Sequence, residues 1–529
     1  MVLESNELKS VPDKRTRPPC RYQSLRIRVD TLLFLLIPIA ALGALAWLLL
    51  GSEIPLGIPG EWVWQRYQNC DLPLFELVGG LLAFALALAI AWCLDLKKGT
   101  GAIARRLGLI AILLLGSWMD FQVLLAGKIG LTENVYAVLD RHTTGYLAEA
   151  AAITDFRQYF SRFNERQEKQ RANVHHLDVH PPGNIAIAYA VLSCCRRHLD
   201  LAVWLQNRLP YDVSLGLKQA RTYRFFGTLL DAPEVYPAAC VMVLLMLAAL
   251  CLARFSLVLT VRMLAGSRCN LALAACLLAT LPGPILFLGH FDVLLFAWSS
   301  VCVCFFVRWL TISGRSRMLW SLATGFSCGI GVVLTLGYGI IIALFVVVML
   351  VRAARDGRKV ADLALFGAGG LLVIGICHLC GVRIVEICFL CMRNNTQFYL
   401  DTARSWRWLL VNPLEFVLFF GVLWVGVTAL YLRQCPFRRL FTLAPEDLLR
   451  LFAWVFLIYL MIHPYCRGEM GRLALLYMPI PLVICARDLM HAVKNRRGWL
   501  FAAFAGFAGL LQIFLLRAIL KLAFFYGRV

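Results

Sequence analysis

The segment Asp178-Val179-His180-Pro181-Pro182-Gly183-Asn184 sets a carboxylate and an imidazole two positions apart against a proline-stiffened turn. Pro181 and Pro182 fix φ and push the residues before them toward extended backbone, and Gly183 permits a sharp entry into a following helix. Asp178 and His180 are thereby held rigidly, as a general base or a proton carrier must be. His175 and His176 crowd the same place. The competing reading is a histidine that only hydrogen-bonds a neighbouring loop.

A second set of residues has the types that group transfer from a phosphate ester needs: a carboxylate to take a hydroxyl proton, and cations for the leaving phosphate. The acidic candidates are Glu61, Asp120, Asp140, Glu149, Asp155, Asp178, Asp292, Glu415 and Glu469. Glu149 and Asp155 lie six apart, about 600° of helical turn, so they cannot act as a pair from one face. Asp120 falls inside an apolar run, where an ionisable group is costly; it is either functional or an anchor bonded to a neighbouring helix. In His463-Pro464-Tyr465-Cys466-Arg467-Gly468-Glu469-Met470-Gly471-Arg472, Arg467 and Arg472 suit a phosphate because guanidinium donates in a fork, with Glu469 orienting them. A snorkelling interfacial cluster is the alternative there. No phosphate-loop, dinucleotide-fingerprint, zinc-protease or nucleophile-elbow pattern stands in a loop able to use it.

The elements that must position these residues are membrane helices. The chain is 60% hydrophobic with a mean hydropathy of +0.73, and its apolar runs are continuous rather than alternating. Backbone amides find no water partner in hydrocarbon, so such runs are helices and not barrel strands. The spans predicted are 31–50, 73–95, 107–127, 235–255, 269–287, 291–310, 319–336, 337–352, 362–380, 414–432, 449–463, 473–487 and 497–518, thirteen in all. Several are shorter than a full crossing and are expected to be kinked or to flank polar cavities.

The net charge of +21 is spread between alternate spans: Arg15 to Arg28, Lys97 to Arg106, Arg315 and Arg317, Arg352 to Lys359, Arg433 to Arg439, and Lys494 to Arg497. That is the positive-inside pattern, which argues against a nucleic-acid partner and puts the N-terminus in the cytoplasm of a multi-pass protein. Residues 1–28 read as a disordered basic tail and 29–529 as a single transmembrane domain. The outward segments are then 51–72, 128–234, 288–290, 381–413 and 464–472, and every polar cluster above lands on that face. Within 128–234, residues 144–160 read as one amphipathic interfacial helix, and 184–205 as a re-entrant or surface helix. Segment 381–413 mixes arginines such as Arg404 with aromatics, a composition that suits lipid headgroups. Of the nineteen cysteines most sit beside apolar spans, where cysteine acts as a small hydrophobe; Cys70 and Cys466 share the outer face and are the one pair considered for a disulfide.

Taken together, the Gly145-Tyr146-x-x-Glu149-Ala150 helix start, His180-Pro181-Pro182-Gly183, Gly289-His290-Phe291-Asp292, Asn412-Pro413-Leu414-Glu415-Phe416 and Gly468-Glu469-x-x-Arg472 followed by Pro479 resemble the GT-C superfamily of bacterial membrane glycosyltransferases, the ArnT-, protein-mannosyltransferase- and RgtA-like enzymes. The matches run in order over residues 115–485. The resemblance implies an all-α GT-C-like bundle with outer-face loop helices. It implies inverting hexosyl or pentosyl transfer from a polyprenyl-phosphate-linked sugar to a glycan, lipid or protein acceptor of the cell envelope, in the plasma (inner) membrane among membrane lipids. Metal ligands are expected to be none, with a divalent cation left open as a cofactor. The family's acid lies in the first outer loop, where 51–72 offers only Glu53, Glu61 and Asp71 and no paired carboxylates. Either the base lies in 128–183 or the first span has no family counterpart. The site residues expected are Glu149, Asp155, Asp178 and His180 for catalysis and Arg467, Glu469 and Arg472 for the donor phosphate, with Asp120, Tyr146, Asp292 and Arg404 as further candidates. A secondary transporter of a polar or lipid-linked solute is the alternative function; it asks for two related halves and broken helices meeting at midplane, and neither is visible in the sequence.

Overall fold

The computed structural model of the chain describes residues 39–521 apart from 41, 60–61, 68–72, 97–100, 142–143, 170–175, 222–228, 267–269, 357–359, 401–404, 428–444, 463–469 and 494–495. The basic tail 1–28, Cys70, Cys466, Arg404, Arg467 and Glu469 therefore lie outside the described residues.

The chain is an all-α polytopic membrane protein. A hairpin of β1 (Leu56–Ile58) and β2 (Trp62–Trp64) precedes α1 (Leu74–Leu96) and α2 (Ala102–Leu125). A shelf of short helices follows: α3 (Thr132–Leu139), α4 (Tyr146–Ala151), α5 (Phe156–Ser161), α6 (Phe163–Lys169), α7 (Gly183–Arg197), α8 (Leu199–Gln206) and α9 (Tyr211–Ala220), with a 3-10 turn at His176–Val179 before α7. The bundle then continues through α10 (Val235–Ala265), α11 (Leu271–Leu278), α12 (Pro282–Leu286), α13 (Asp292–Thr311), α14 (Ser316–Leu334), α15 (Tyr338–Asp356) and α16 (Val360–Leu379). It ends with α17 (Ile384–Leu400), α18 (Trp408–Phe420), α19 (Pro445–Ile462), α20 (Met470–Leu473), α21 (Pro479–Ala492) and α22 (Arg496–Ile519).

Among the described residues, seven helices (α1, α2, α10, α13, α14, α16 and α22) are long and apolar enough to cross a bilayer, or eight if the pair Met470–Leu476 and Pro479–Met490, bent by 80°, counts as one. Of the other regions expected to span, 337–352 and 449–463 are each a single helix, α15 and α19, while two more are interrupted. The 269–287 run breaks into α11 and α12 where Pro282 and Pro284 remove backbone donors, and the 414–432 run is broken at Gly421, which takes φ +94°, before helix resumes over 422–427. The 144–160 stretch is two helices instead of one, since the Asp155 side chain accepts the Gln158 amide and starts α5 afresh. The 184–205 stretch folds as α7 and α8 with a break at His198, and 381–413 contains α17 and the start of α18.

Two contacts fix orientation along the bundle. At the C-terminal end of α13, the Trp309 ring lies between the Arg317 guanidinium at 4.7 Å and that of Arg352 at 5.3 Å, and Arg317 pairs with Asp362 at 2.8 Å. At the N-terminal end of α13 stands Asp292, about 26 Å from Trp309 along the helix axis. The basic end and the Asp292 end are thus opposite ends of one helix. The hairpin caps the Asp292 end: Trp64 packs on Phe419 at 5.4 Å and on Phe287 at 6.1 Å.

Close helix approach is set by glycine. A Cβ on Gly325 of α14 would lie 1.8 Å from the Phe366 carbonyl oxygen of α16, and one on Gly369 would lie 2.3 Å from the Leu322 carbonyl oxygen. Backbones that touch this way gain van der Waals contact which lipid cannot replace. Gly325→Ala is expected to lower stability in detergent by about 1–3 kcal/mol through overpacking. Gly375→Ala, on the same pair of helices but facing open space, is expected to leave stability equal or slightly higher; thermal unfolding of both variants checks the contrast.

Candidate functional site

Tyr146 is the meeting point of the Asp292 end. The residue before it, Gly145, adopts φ +68°, and a Cβ there would press on the Arg141 carbonyl oxygen at 3.0 Å and on the Leu177 side chain at 3.4 Å. The loop that leaves α3 at Asp140 therefore packs directly on the 3-10 turn that carries Asp178. Asp140 is buried, and its carbonyl accepts the Thr144 and Gly145 amides at 3.2 and 3.1 Å, which closes the loop.

The Tyr146 ring stacks edge-on against Phe291 at 4.6 Å and faces the His180 ring at 6.4 Å. Its hydroxyl is hydrogen-bonded to the Asn184 amide and lies in the field of Asp292, Arg472 and Cys391. Burial pushes the phenol well above its usual range; Asn184 and Arg472 oppose that, and Asp292 and Cys391 add to it. The hydroxyl stays protonated at neutral pH and is available as a donor.

The Pro181-Pro182-Gly183 turn works by close approach. A Cβ on Gly183 would lie 2.4 Å from the Val333 carbonyl oxygen at the end of α14. Asn184 then donates to the Leu334 carbonyl at 3.4 Å, which joins the N-terminus of α7 to the C-terminus of α14. Asp178 is buried, its carbonyl accepts from the Asn394 amide of α17 at 3.3 Å, and its charge helps push the Cys391 thiol up to about 12, burial being the larger cause. His180 is half-buried beside it.

Arg472 closes the other side. Its Nε stands 3.5 Å from Asp292 Oδ2. The one-turn helix α20 that carries it is seated on α18: the Gly471 amide donates to Glu415 Oε1 at 3.2 Å, and a Cβ on Gly471 would overlap the Phe419 ring at 2.2 Å. Asn412, on the same helix as Glu415, donates to the Met461 carbonyl at 3.0 Å and ties α18 to α19. Gly289, at φ +104°, lets the turn before Asp292 approach the Asn134 carbonyl oxygen of α3 to where a Cβ would stand at 2.9 Å.

The structure thus gathers Tyr146, Asp178, His180, Asp292 and Arg472 in one place. Three other candidates are engaged elsewhere. Glu149 Oε1 accepts from the Tyr159 hydroxyl at 2.9 Å. Asp155 is an exposed helix cap. Asp120 makes a buried two-point pair with Arg254, Oδ1 at 2.6 Å from Nη2 and Oδ2 against Nη1, inside the α2–α10 contact. Sequence reasoning gave no role to Asn184, Asn394 or the buried pair of Glu133 with Arg517 at 2.9 Å, which links α3 to α22. Asn184 had a signal, a hydrogen-bonding side chain directly behind the Pro-Pro-Gly turn; Asn394 had none. Among the described residues, no group of three or more His, Cys, Asp and Glu side chains is arranged to hold a metal ion.

No family model and no curated protein matches the sequence. Among solved structures, the chain is similar to the crystal structure of the Archaeoglobus fulgidus oligosaccharyltransferase tethered with an acceptor peptide through a disulfide bond, at 15% identity and a TM-score of 0.38. That likeness covers 57% of this chain and 46% of the other, so the chain spans under half the length of that protein.

The Asp120–Arg254 pair yields a test of structural against functional acid. Asp120→Asn leaves a buried guanidinium uncompensated and is expected to cost about 3–5 kcal/mol, whereas Asp120→Leu with Arg254→Met is expected to recover most of it. Chemical or thermal unfolding in detergent reads both; equal losses in the single and the double variant would count against a purely structural pair.

Proposed function

We propose that this chain is a membrane glycosyltransferase of GT-C type, moving a sugar from a polyprenyl-phosphate donor to an acceptor hydroxyl at the outer face of the plasma membrane. The observation that carries the reading is the convergence on Tyr146 of a buried carboxylate turn, Asp178 to His180, and a cation held by a carboxylate, Arg472 with Asp292. The basic end of α13 is opposite, which under the positive-inside rule supports an outer-face site and a cytoplasmic N-terminus.

In the proposed reaction the acceptor oxygen attacks the anomeric carbon while its proton passes to a carboxylate. The bond from that carbon to the phosphate oxygen breaks, the configuration inverts, and polyprenyl phosphate departs with the electron pair. Asp178 and Asp140, both buried and carried by the two segments that meet at Gly145, are the bases proposed. His180 accepts or relays the proton. Arg472 holds the developing phosphate charge, with Arg467 and Glu469 proposed beside it and Arg404 near the lipid headgroups. Asp292 and Glu415 aim Arg472, and the protonated Tyr146 hydroxyl donates to the donor or the acceptor. The isoprenoid chain stays in lipid, and only its polar head reaches the mouth of the bundle.

Two measurements follow. Asp178→Asn or Asp140→Asn is expected to lower kcat for sugar transfer from a polyprenyl-phosphate hexose by about a hundred-fold or more, the usual contribution of a positioned base. Asp155→Asn, which still caps α5, is expected to leave it near wild type; full activity in both Asp178→Asn and Asp140→Asn would remove the base from this loop.

Arg472→Ala is expected to raise the donor KM about ten- to a hundred-fold, the worth of a hydrogen bond to a charged group, with little change for the acceptor. Glu415→Gln keeps an acceptor for the Gly471 amide and is expected to stay close to wild type, whereas Glu415→Ala should repeat the Arg472→Ala donor defect. Equal donor and acceptor effects in Arg472→Ala would sink the phosphate role.

A further inference from the structure

The shelf helices α8 and α9 carry an exposed stripe that the proposed reaction does not use. Leu201 and Trp204 share a face of α8, exposed Arg197 and Arg208 flank that helix at its two ends, and Tyr211 and Leu215 continue the stripe on α9. Leu201 is 63% exposed, Trp204 53% and Tyr211 77%, with Leu215 also exposed. The opposite face is ordinary core: Ala202, Val213 and Ala220 are buried. Large apolar side chains in a row, edged by arginine, are what a helix lying in a bilayer interface presents.

Two further observations say what covers the stripe. The Arg208 guanidinium lies over the Trp204 ring at 5.3 Å, so the cation rides on an amphipathic ring of the kind that collects at headgroup level. In addition, α8 packs on α10, a helix of 31 residues and about 46 Å, longer than the roughly 30 Å hydrocarbon core. Its outward side chains Leu252 and Phe255 are exposed as lipid-facing residues are. Arg196, paired with Glu234 at 2.6 Å, ties α7 to the start of α10 and holds the shelf at this height.

We infer that α8 and α9 lie in the headgroup layer of the bilayer, with Leu201, Trp204, Tyr211 and Leu215 in the acyl boundary and Arg197 and Arg208 on anionic phosphodiester headgroups. This surface binds bulk lipid and is separate from the Tyr146 site, so it stands or falls independently of the proposed transfer reaction. It gives the shelf a fixed depth relative to the membrane surface.

The test uses the full chain in nanodiscs. Emission of the wild type minus that of Trp204→Phe isolates Trp204, and lipids brominated near the headgroup end of the chain serve as quencher. The difference emission is expected to be blue-shifted and quenched by the brominated lipid. Arg197→Gln or Arg208→Gln is expected to reduce the preference for brominated anionic over brominated zwitterionic lipid by about five-fold each, the worth of one surface cation near a charged leaflet. Unquenched emission at the water-exposed position overturns the inference, and so does unquenched but blue-shifted emission in particles that hold two copies of the chain, which assigns the stripe to a dimer contact. Quenching without an anionic preference in the wild type overturns the headgroup half.

Discussion

Asp292 and Arg472 face each other at 3.5 Å across the site end of the bundle, and most of the molecule can be understood as what holds that pair in place. A carboxylate at the head of a transmembrane helix and a guanidinium on a single helical turn would each drift if left to their own short segments. Asp292 is fixed because Gly289 lets its turn press on α3 and because Phe291 packs against Tyr146. Arg472 is fixed because Glu415 takes the amide of the residue before it and Phe419 fills the space a side chain on Gly471 would need. A charge pair held in this way has its geometry set by the backbone around it.

Elsewhere the same currency is spent on architecture. Asp120 with Arg254 and Glu133 with Arg517 are buried pairs between helices far apart in sequence, and the part-buried pair of Arg450 with Asp488 joins α19 to α21. Each joins a helix of one part of the chain to a helix of another. In hydrocarbon, an apolar contact slides at little cost, whereas a buried ion pair has one register. The Arg517 guanidinium also donates to the carbonyls of Leu124 and Gly130, so the last helix clamps the passage from α2 into the shelf. That clamp sets the height of α3, and through Asp140 and Gly145 the height of Tyr146.

The shelf itself is possible because its backbone leaves the hydrocarbon. Where lipid surrounds them, helices of six to fifteen residues with polar breaks between them would leave each freed amide without a partner. At the interface the breaks are useful. Asp155 starts α5 afresh, His198 separates α7 from α8, and the chain folds back on α10.

Sequence by itself determined the class of the protein and the chemistry it can attempt. Continuous apolar runs dictate membrane helices because backbone groups in hydrocarbon must be satisfied within the segment, and alternating lysine and arginine loops pick out one end of the bundle. The types and order of Tyr146, Asp178, His180, Asp292 and Arg472 marked them as candidates before any contact was known. Sequence could not choose among equivalent carboxylates. Asp120, Glu149, Asp155 and Asp178 are the same functional group in similar composition; only tertiary structure put a guanidinium on the first, a tyrosine hydroxyl on the second, a helix amide on the third, and Tyr146's surroundings on the fourth. It also decided that Gly183 serves close packing, since a carbonyl arriving from a helix 150 residues later leaves no periodicity or spacing to read. Local patterns report what a segment must do for itself, and the partner that completes a site comes from another segment.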